Sequence, residues 1–266
     1  MSVPEHDALP PAHLPVSAVL TDAAVIARRN LLMIMRTPQL LVFSTIQPVM
    51  FVLLFRYVFG GAINVPGTNY ADFLLPGVFV QTVVFGGTAA AVALATDLNA
   101  GIVDRFRSLP MARSAVLAGR TAADAVRNVF VIALMVIVGY AVGFRFQGGF
   151  PAAVGAMAIA LLFGYAFSWF FAFIGMLVRD PETAQVAGFV PLFPLVFASS
   201  IFVSPRTMPS WLRPFAEHQP ISKVANAVRG LSLGTATTSD VVVALLWIGG
   251  MLIVFAPLAT WRYRRG

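Results

Sequence analysis

Long apolar blocks alternate along this chain with short polar stretches that carry most of its arginines. The blocks run over residues 38–59, 73–96, 128–144, 151–178, 184–203 and 241–261. At a rise of 1.5 Å per residue, about 20 apolar residues in a helix match the roughly 30 Å hydrocarbon core of a bilayer. Each block therefore reads as a transmembrane helix, and the expected fold class is an all-α membrane protein with six transmembrane helices. Two starts are well marked. Thr37 offers a capping hydroxyl before Pro38 at the first helical position, and Asp180-Pro181-Glu182 repeats the device with an acid in the first turn. Upstream, Val16–Met35 is moderately apolar but carries Arg28, Arg29 and Asn30, which suits an N-terminal interfacial helix with its arginines at phosphate level. Residues 1–15 are polar and acidic with no basic leader region, and are expected to form a disordered cytoplasmic tail. Residues 16–266 are expected to form one transmembrane domain.

Composition strengthens this reading. Of 266 residues, 59% are apolar and 11% charged, against about 25% charged in a soluble domain. The net charge of +7 is almost wholly arginine, with Lys223 the one lysine. A basic chain can be a nucleic-acid binder. Here the arginines flank apolar blocks, which points to anionic lipid headgroups and the positive-inside rule, with no nucleic acid as partner. Placing both termini in the cytoplasm puts twelve basic residues inside and five outside. The dissenting charges lie between the fifth and sixth blocks. The absence of cysteine excludes disulfides and thiolate metal sites.

Several chemistries are missing. Lys223 follows Ile221-Ser222 and belongs to no G-x-x-x-x-G-K-[ST] loop, so the chain has no phosphate-gripping P-loop. His6, His13 and His218 are scattered, and no metal site is expected. No G-x-S-x-G or H-E-x-x-H motif occurs, so no catalytic residue is assigned. Every Asp and Glu falls in a loop or at a block end, which counts against a proton relay within the membrane.

Two connecting segments carry information. Between the second and third blocks, Leu98, Ile102 and Phe106 recur at helical spacing, flanked by Asp97, Asp104, Arg105 and Arg107, and Pro110 ends the run. Such a short amphipathic helix either rests on the membrane or seats its apolar stripe in a partner's groove. Between the fifth and sixth blocks, Pro209 and Trp211 can begin a short helix, and Trp211 and Phe215 suit an interface. After Pro220, Ile221, Val224, Ala225, Val228 and Leu231 form one face, with Ser222, Lys223, Asn226 and Arg229 on the other. This reads as an amphipathic helix in the outer leaflet, its cations at phosphate level; a plain interfacial loop is the alternative.

Within the spans, Gln47 lies about 14 Å from the inner edge and Gln81 about 12 Å from the outer one. These amides either bond helix to helix or line a substrate path. Arg56 is expected to snorkel to outer headgroups. Pro191 and Pro194 favour a bend in the fifth span, a candidate moving part of that path.

The run Gly101–Arg113, continued by Leu117–Arg120, resembles ABC-2-type transporter permeases, particularly the daunorubicin-resistance-like exporter permease group. Arg179–Gln185, Met208–Phe215, Gln219–Ser222 and Ala227–Leu231 extend the resemblance from about Val16 to the C-terminus. The resemblance implies a coupling helix that docks into a separate ATPase, formed here by Asp97, Gly101, Ile102, Asp104, Arg105, Phe106, Arg107, Pro110 and Arg113. Arg179, Asp180 and Glu182 are the second candidate cytoplasmic contact, and Pro209, Trp211, Phe215 and Pro220 mark external re-entrant helices. It further implies a permease of a bacterial inner (plasma) membrane with cytoplasmic termini, exporting an amphipathic drug-like or lipid-like cargo. Two ATPase copies and a second permease chain, identical or paralogous, are the expected partners besides membrane lipids. ATP and Mg would bind the ATPase and no cofactor would bind this chain. A polysaccharide or glycolipid cargo is one rival, and a secondary transporter working without ATP is another.

Overall fold

The computed structural model describes Val25, Ala27, Arg28 and Leu32, then residues 38–61, 68–100, 113–178 and 180–265. The tail at 1–15 and most of the interfacial helix expected at 16–35 lie outside these residues. Eight α-helices follow in order among the described residues. They are α1 (Pro38–Leu53), α2 (Tyr70–Asn99), α3 (Arg113–Ala141), α4 (Gly149–Val178), α5 (Pro181–Phe197), α6 (Arg213–His218), α7 (Pro220–Leu233) and α8 (Thr238–Arg265). A π-helical turn at Leu54–Phe59 prolongs α1. No strand occurs among the described residues.

Four helices, α2, α3, α4 and α8, are long and apolar enough to cross a membrane. The apolar blocks found them all, but their bounds differ. Helix α3 begins at Arg113, whereas the hydropathy block begins at Asn128. The intervening Ser114–Arg127 is rich in alanine, the best helix former, and contains no proline. Its charges lower hydropathy without breaking the helix. Helix α5 covers 17 residues and ends at Phe197, short of the expected Val203. Pro191 and Pro194 lack the N–H groups that would bond one turn back, and the chain leaves the helix just beyond them.

Helix starts follow the local sequence. Asn69 caps α2, its side chain accepting from Ala71 N at 3.2 Å. Before α8, Thr237 and Asp240 form a reciprocal capping box: Thr237 N donates to Asp240 Oδ2 at 3.1 Å, and Asp240 N to Thr237 Oγ1 at 3.2 Å. Helix α7 stops at Gly234, whose φ of 73° takes the left-handed turn that favours glycine.

Helix α2 lies at the centre, packed against α3, α4, α5 and α7, with its broadest interface on α4. The main core runs through Leu74, Val78, Phe79, Val83, Ala90, Ala91, Phe163, Phe167 and Phe171. A second cluster ties the far ends of α2, α3, α4 and α8 through Leu94, Leu117, Trp169, Met176, Ala259 and Tyr263. Hydrocarbon offers helices little hydrophobic reason to associate, so small residues that let backbones approach closely do this work. Gly175 of α4 is such a helix-to-helix contact: a β-carbon there would stand 2.4 Å from Ala91 O and 2.9 Å from Ala91 Cα. Both are backbone atoms that cannot swing aside. By contrast α8 keeps only 11% of its most apolar stretch buried and turns Leu246, Ile253 and Val254 outward.

Gly175→Ala must therefore push α4 off α2. We expect a loss of about 1–3 kcal/mol, read as a lower thermal midpoint in detergent. An unchanged midpoint would show that the contact is not rigid.

Candidate functional site

Three places bear the chemistry suggested by the residues: the Asp97 end of the bundle, a pocket above it, and the Arg229 end. The segment expected to couple, with Gly101, Ile102, Asp104, Arg105, Phe106, Arg107 and Pro110, lies outside the described residues, as does Arg179. Its two anchors are described. Asp97 sits in the last turn of α2, and Arg113 is the first residue of α3. Arg120, two turns into α3, pairs with Asp97 and closes the base of the segment. At the same end Asp180 caps α5, accepting from Thr183 Oγ1 at 2.6 Å and Thr183 N at 2.7 Å. The hydroxyl bond first and the amide bond second hold its carboxyl below the usual carboxylate range. Glu182 is exposed in the first turn, where its charge favours the helix N-terminus.

Above the ion pair, α1, α2 and α3 enclose a pocket of about 190 Å³, lined by residues including Gln47, Gln81, Phe85, Arg127 and Asn128. The two glutamines expected at similar depth do converge on one space. No hydrogen bond joins them among the described residues. Pro191 and Pro194 do not line the pocket; both are exposed on α5.

Sequence reasoning missed the α3 contribution. Leu117, Thr121, Asp124, Asn128, Val131 and Met135 recur at steps of four and three and are all buried, one continuous helical stripe. Hydropathy averaging hid it because half its members are polar. Arg127, expected in a cytoplasmic loop, instead donates to Gly86 O at 2.6 Å and meets Asp124 Oδ1 at 3.3 Å. Aromatic rings lead away from the pocket. Phe85 meets Phe189 of α5, whose row continues through Phe193 and Phe197 to Phe202 and Phe55, with successive centroids 4.3–6.4 Å apart.

At the other end the irregular stretch 198–204 is folded inward, with Ser199, Ser200, Ile201 and Phe202 buried. Such backbone needs partners where water is excluded. Gln219 supplies two, its Nε2 donating at 2.8 Å to Leu195 O and Ala198 O at the end of α5. Ser222 Oγ accepts from Ser200 N at 3.0 Å. Arg229 overturns its expected place at outer phosphates. It is buried, its Nε donating to Phe73 O, Nη1 to Asn226 Oδ1 and Nη2 to Ser200 O, each at 2.8 Å. The guanidinium also lies 3.8 Å from the centre of the Phe73 ring. Five fixed donors suit a site where carbonyls from several segments converge. Pro209 and Trp211 precede α6 and are exposed, Trp211 largely so, and Phe215 is about half exposed. In α6 Arg213 bonds Glu217 at 2.7 Å, and that bond holds the Glu217 carboxyl below its ordinary range. Pro220 opens α7.

A protein-family model described as "ABC-2 type transporter" matches residues 21–233. The chain belongs to this family. It is 40% identical over 249 residues to the daunorubicin resistance ABC transporter permease protein DrrB1 of Streptomyces coeruleorubidus, covering 94% of this chain and 87% of that one. The doxorubicin resistance ABC transporter permease protein DrrB of Mycobacterium tuberculosis is 28% identical over 204 residues, covering 77% of this chain and 68% of that one. The probable doxorubicin resistance permease DrrC of the same species is 25% identical over 224 residues, with 84% and 80% covered. This ABC-2 protein is thus an integral membrane protein of the permease kind, and four of its described helices are long and apolar enough to be its spans.

Replacing Arg229 by methionine keeps the bulk and removes the donors. Each carbonyl left unpaired costs about 1–3 kcal/mol, so Arg229→Met should melt well below the native chain, with Arg229→Lys in between. Equal melting of all three in detergent would mean that the Arg229 contacts do not secure this end.

Proposed function

We propose that the chain is the membrane subunit of an ATP-driven exporter moving an amphipathic, drug-like or lipid-like cargo out of a bacterial cell across its inner (plasma) membrane. In this reading both termini are cytoplasmic, the Asp97 end faces the cytoplasm and the Arg229 end faces outward. The excess of arginine on the first side supports that orientation. Six spans follow: α1 with its π-helical extension, α2, α3, α4, α5 with the buried 198–204 stretch, and α8. Half a pathway per chain calls for a second permease, identical or paralogous, and two copies of an ATPase that binds ATP and Mg. The names borne by the DrrB1, DrrB and DrrC relatives favour drug-like cargo over polysaccharide.

The observation that carries the reading is the ion pair at the base of the 101–112 segment. Because Asp97 and Arg120 hold the ends of α2 and α3 together, a partner gripping that segment moves both helices as one. These two helices wall the pocket. Ile102 and Phe106 would fill a groove on the ATPase, Asp104, Arg105 and Arg107 would set its register, and Pro110 would end the helix. The turn Arg179–Glu182, stiffened by the Asp180 cap, would make a second contact. Closure of the ATPase on ATP would then tilt α2 and α3 and pass cargo along the phenylalanine row toward the Arg229 end.

The test is Arg105→Glu with Arg107→Glu, in membranes containing the cognate ATPase. Assembly, or stimulation of ATP hydrolysis by the permease, should fall at least about tenfold with the permease still inserted, as expected when charge complementarity across an interface is inverted. Unchanged assembly and export would remove the coupling role. Cargo flux driven by an ion gradient in liposomes holding this chain alone would favour the secondary-transporter reading.

A further inference from the structure

We propose that the pocket between α1, α2 and α3 recognises an uncharged aromatic ring carrying both a hydrogen-bond donor and an acceptor. This deepens the export reading, and rests on it only in taking the ring to be part of the cargo.

Two carboxamides make the case. Gln81 is 1% exposed and Asn128 2% exposed, both line the pocket, and Gln81 Oε1 and Asn128 Nδ2 are buried with no hydrogen-bond partner among the described residues. Buried polar groups are rarely left so. The other polar groups at the wall are engaged. Thr82 Oγ1 donates to Val78 O at 2.7 Å and Thr88 Oγ1 to Phe85 O at 2.7 Å, while Arg127 serves Gly86 O and Asp124. The capacity still open therefore belongs to the amides, each with N–H donors and a carbonyl acceptor, and Gln47 adds a third on the α1 side.

Charge and size narrow the occupant. Arg127 is matched by Asp124, so a carboxylate ligand would compete with Asp124 and an ammonium would face the guanidinium. A neutral group meets neither obstacle. Pro48, Phe85, Ala89 and Val131 supply apolar wall. An apolar cavity of about 150 Å³ accepts benzene; about 190 Å³ here has room for one ring with its polar substituents. Gly86 keeps that space open, since a β-carbon there would lie 2.8 Å from Asn128 Oδ1.

The test is equilibrium binding of radiolabelled 2-hydroxybenzamide to the purified full-length chain in lipid nanodiscs, with empty nanodiscs as background and benzoate and benzylamine as competitors. Saturable binding that neither competitor displaces is expected. Gln81→Leu and Asn128→Leu should each weaken it about two- to tenfold, the worth of one hydrogen bond. Gly86→Ala provides a variant that removes no polar group and favours the helix. It should weaken binding by a similar factor, because Asn128 must move, while the thermal midpoint stays at or above that of the native chain. Binding no greater than in empty nanodiscs would mean that the pocket holds water alone and would overturn the proposal. So would full displacement by benzoate, or native affinity in a folded Gly86→Ala. ATP-driven efflux is scored separately with the ATPase present. Ring binding without efflux would remove the export reading and keep the site; efflux without ring binding would do the reverse.

Discussion

The central constraint in this molecule is the grip on α2. Backbone meets backbone where Gly175 faces Ala91, and close contact of that kind forbids sliding without separating the helices. Both ends of α2 are tied by charged side chains, Asp97 to Arg120 at one and Phe73 O to Arg229 at the other. A helix of 30 residues so held moves as a rod of about 45 Å. The pocket, the phenylalanine row and the folded-in 198–204 stretch all take their positions from it.

Much of this arrangement was legible from residue patterns, and the departures have a common cause. Apolar blocks identify helices because hydrocarbon demands internal pairing of every backbone group. Local caps are equally readable: Asp180-Pro181 predicts the start that the structure shows. What single-chain patterns do not carry is the partner of a polar residue. Arg229 reads as the exposed face of an amphipathic helix, yet it is turned inward by carbonyls contributed by α2 and by the turn after α5. Arg127 and Asp124 lower the hydropathy of α3 and read as loop, yet they pair with each other within the helix, and Arg127 also reaches Gly86 O.

The same distinction governs the functional residues. Depth along a helix follows from counting, so Gln47 and Gln81 could be placed on one level. That Asn128 joins them follows only from the three-four stripe of α3, which averaging over a window obscures. Pro191 and Pro194 lie outside the pocket lining, toward the end of α5, where Gln219 meets the carbonyls of Leu195 and Ala198. The coupling role proposed for segment 101–112 is supported by its charge pattern. Its place between the clipped ends of α2 and α3 is what connects a partner to the pocket in the proposed mechanism.

That connection is most directly tested by a charge exchange at Asp97 and Arg120, scored as ATP-driven efflux from vesicles containing the permease and its ATPase. The account predicts that Asp97→Arg and Arg120→Asp each cut efflux while leaving ATPase assembly in place, and that the double exchange restores it. Efflux at the native rate in both single variants, or no recovery in a folded double variant, would contradict the claim that this pair carries the stroke.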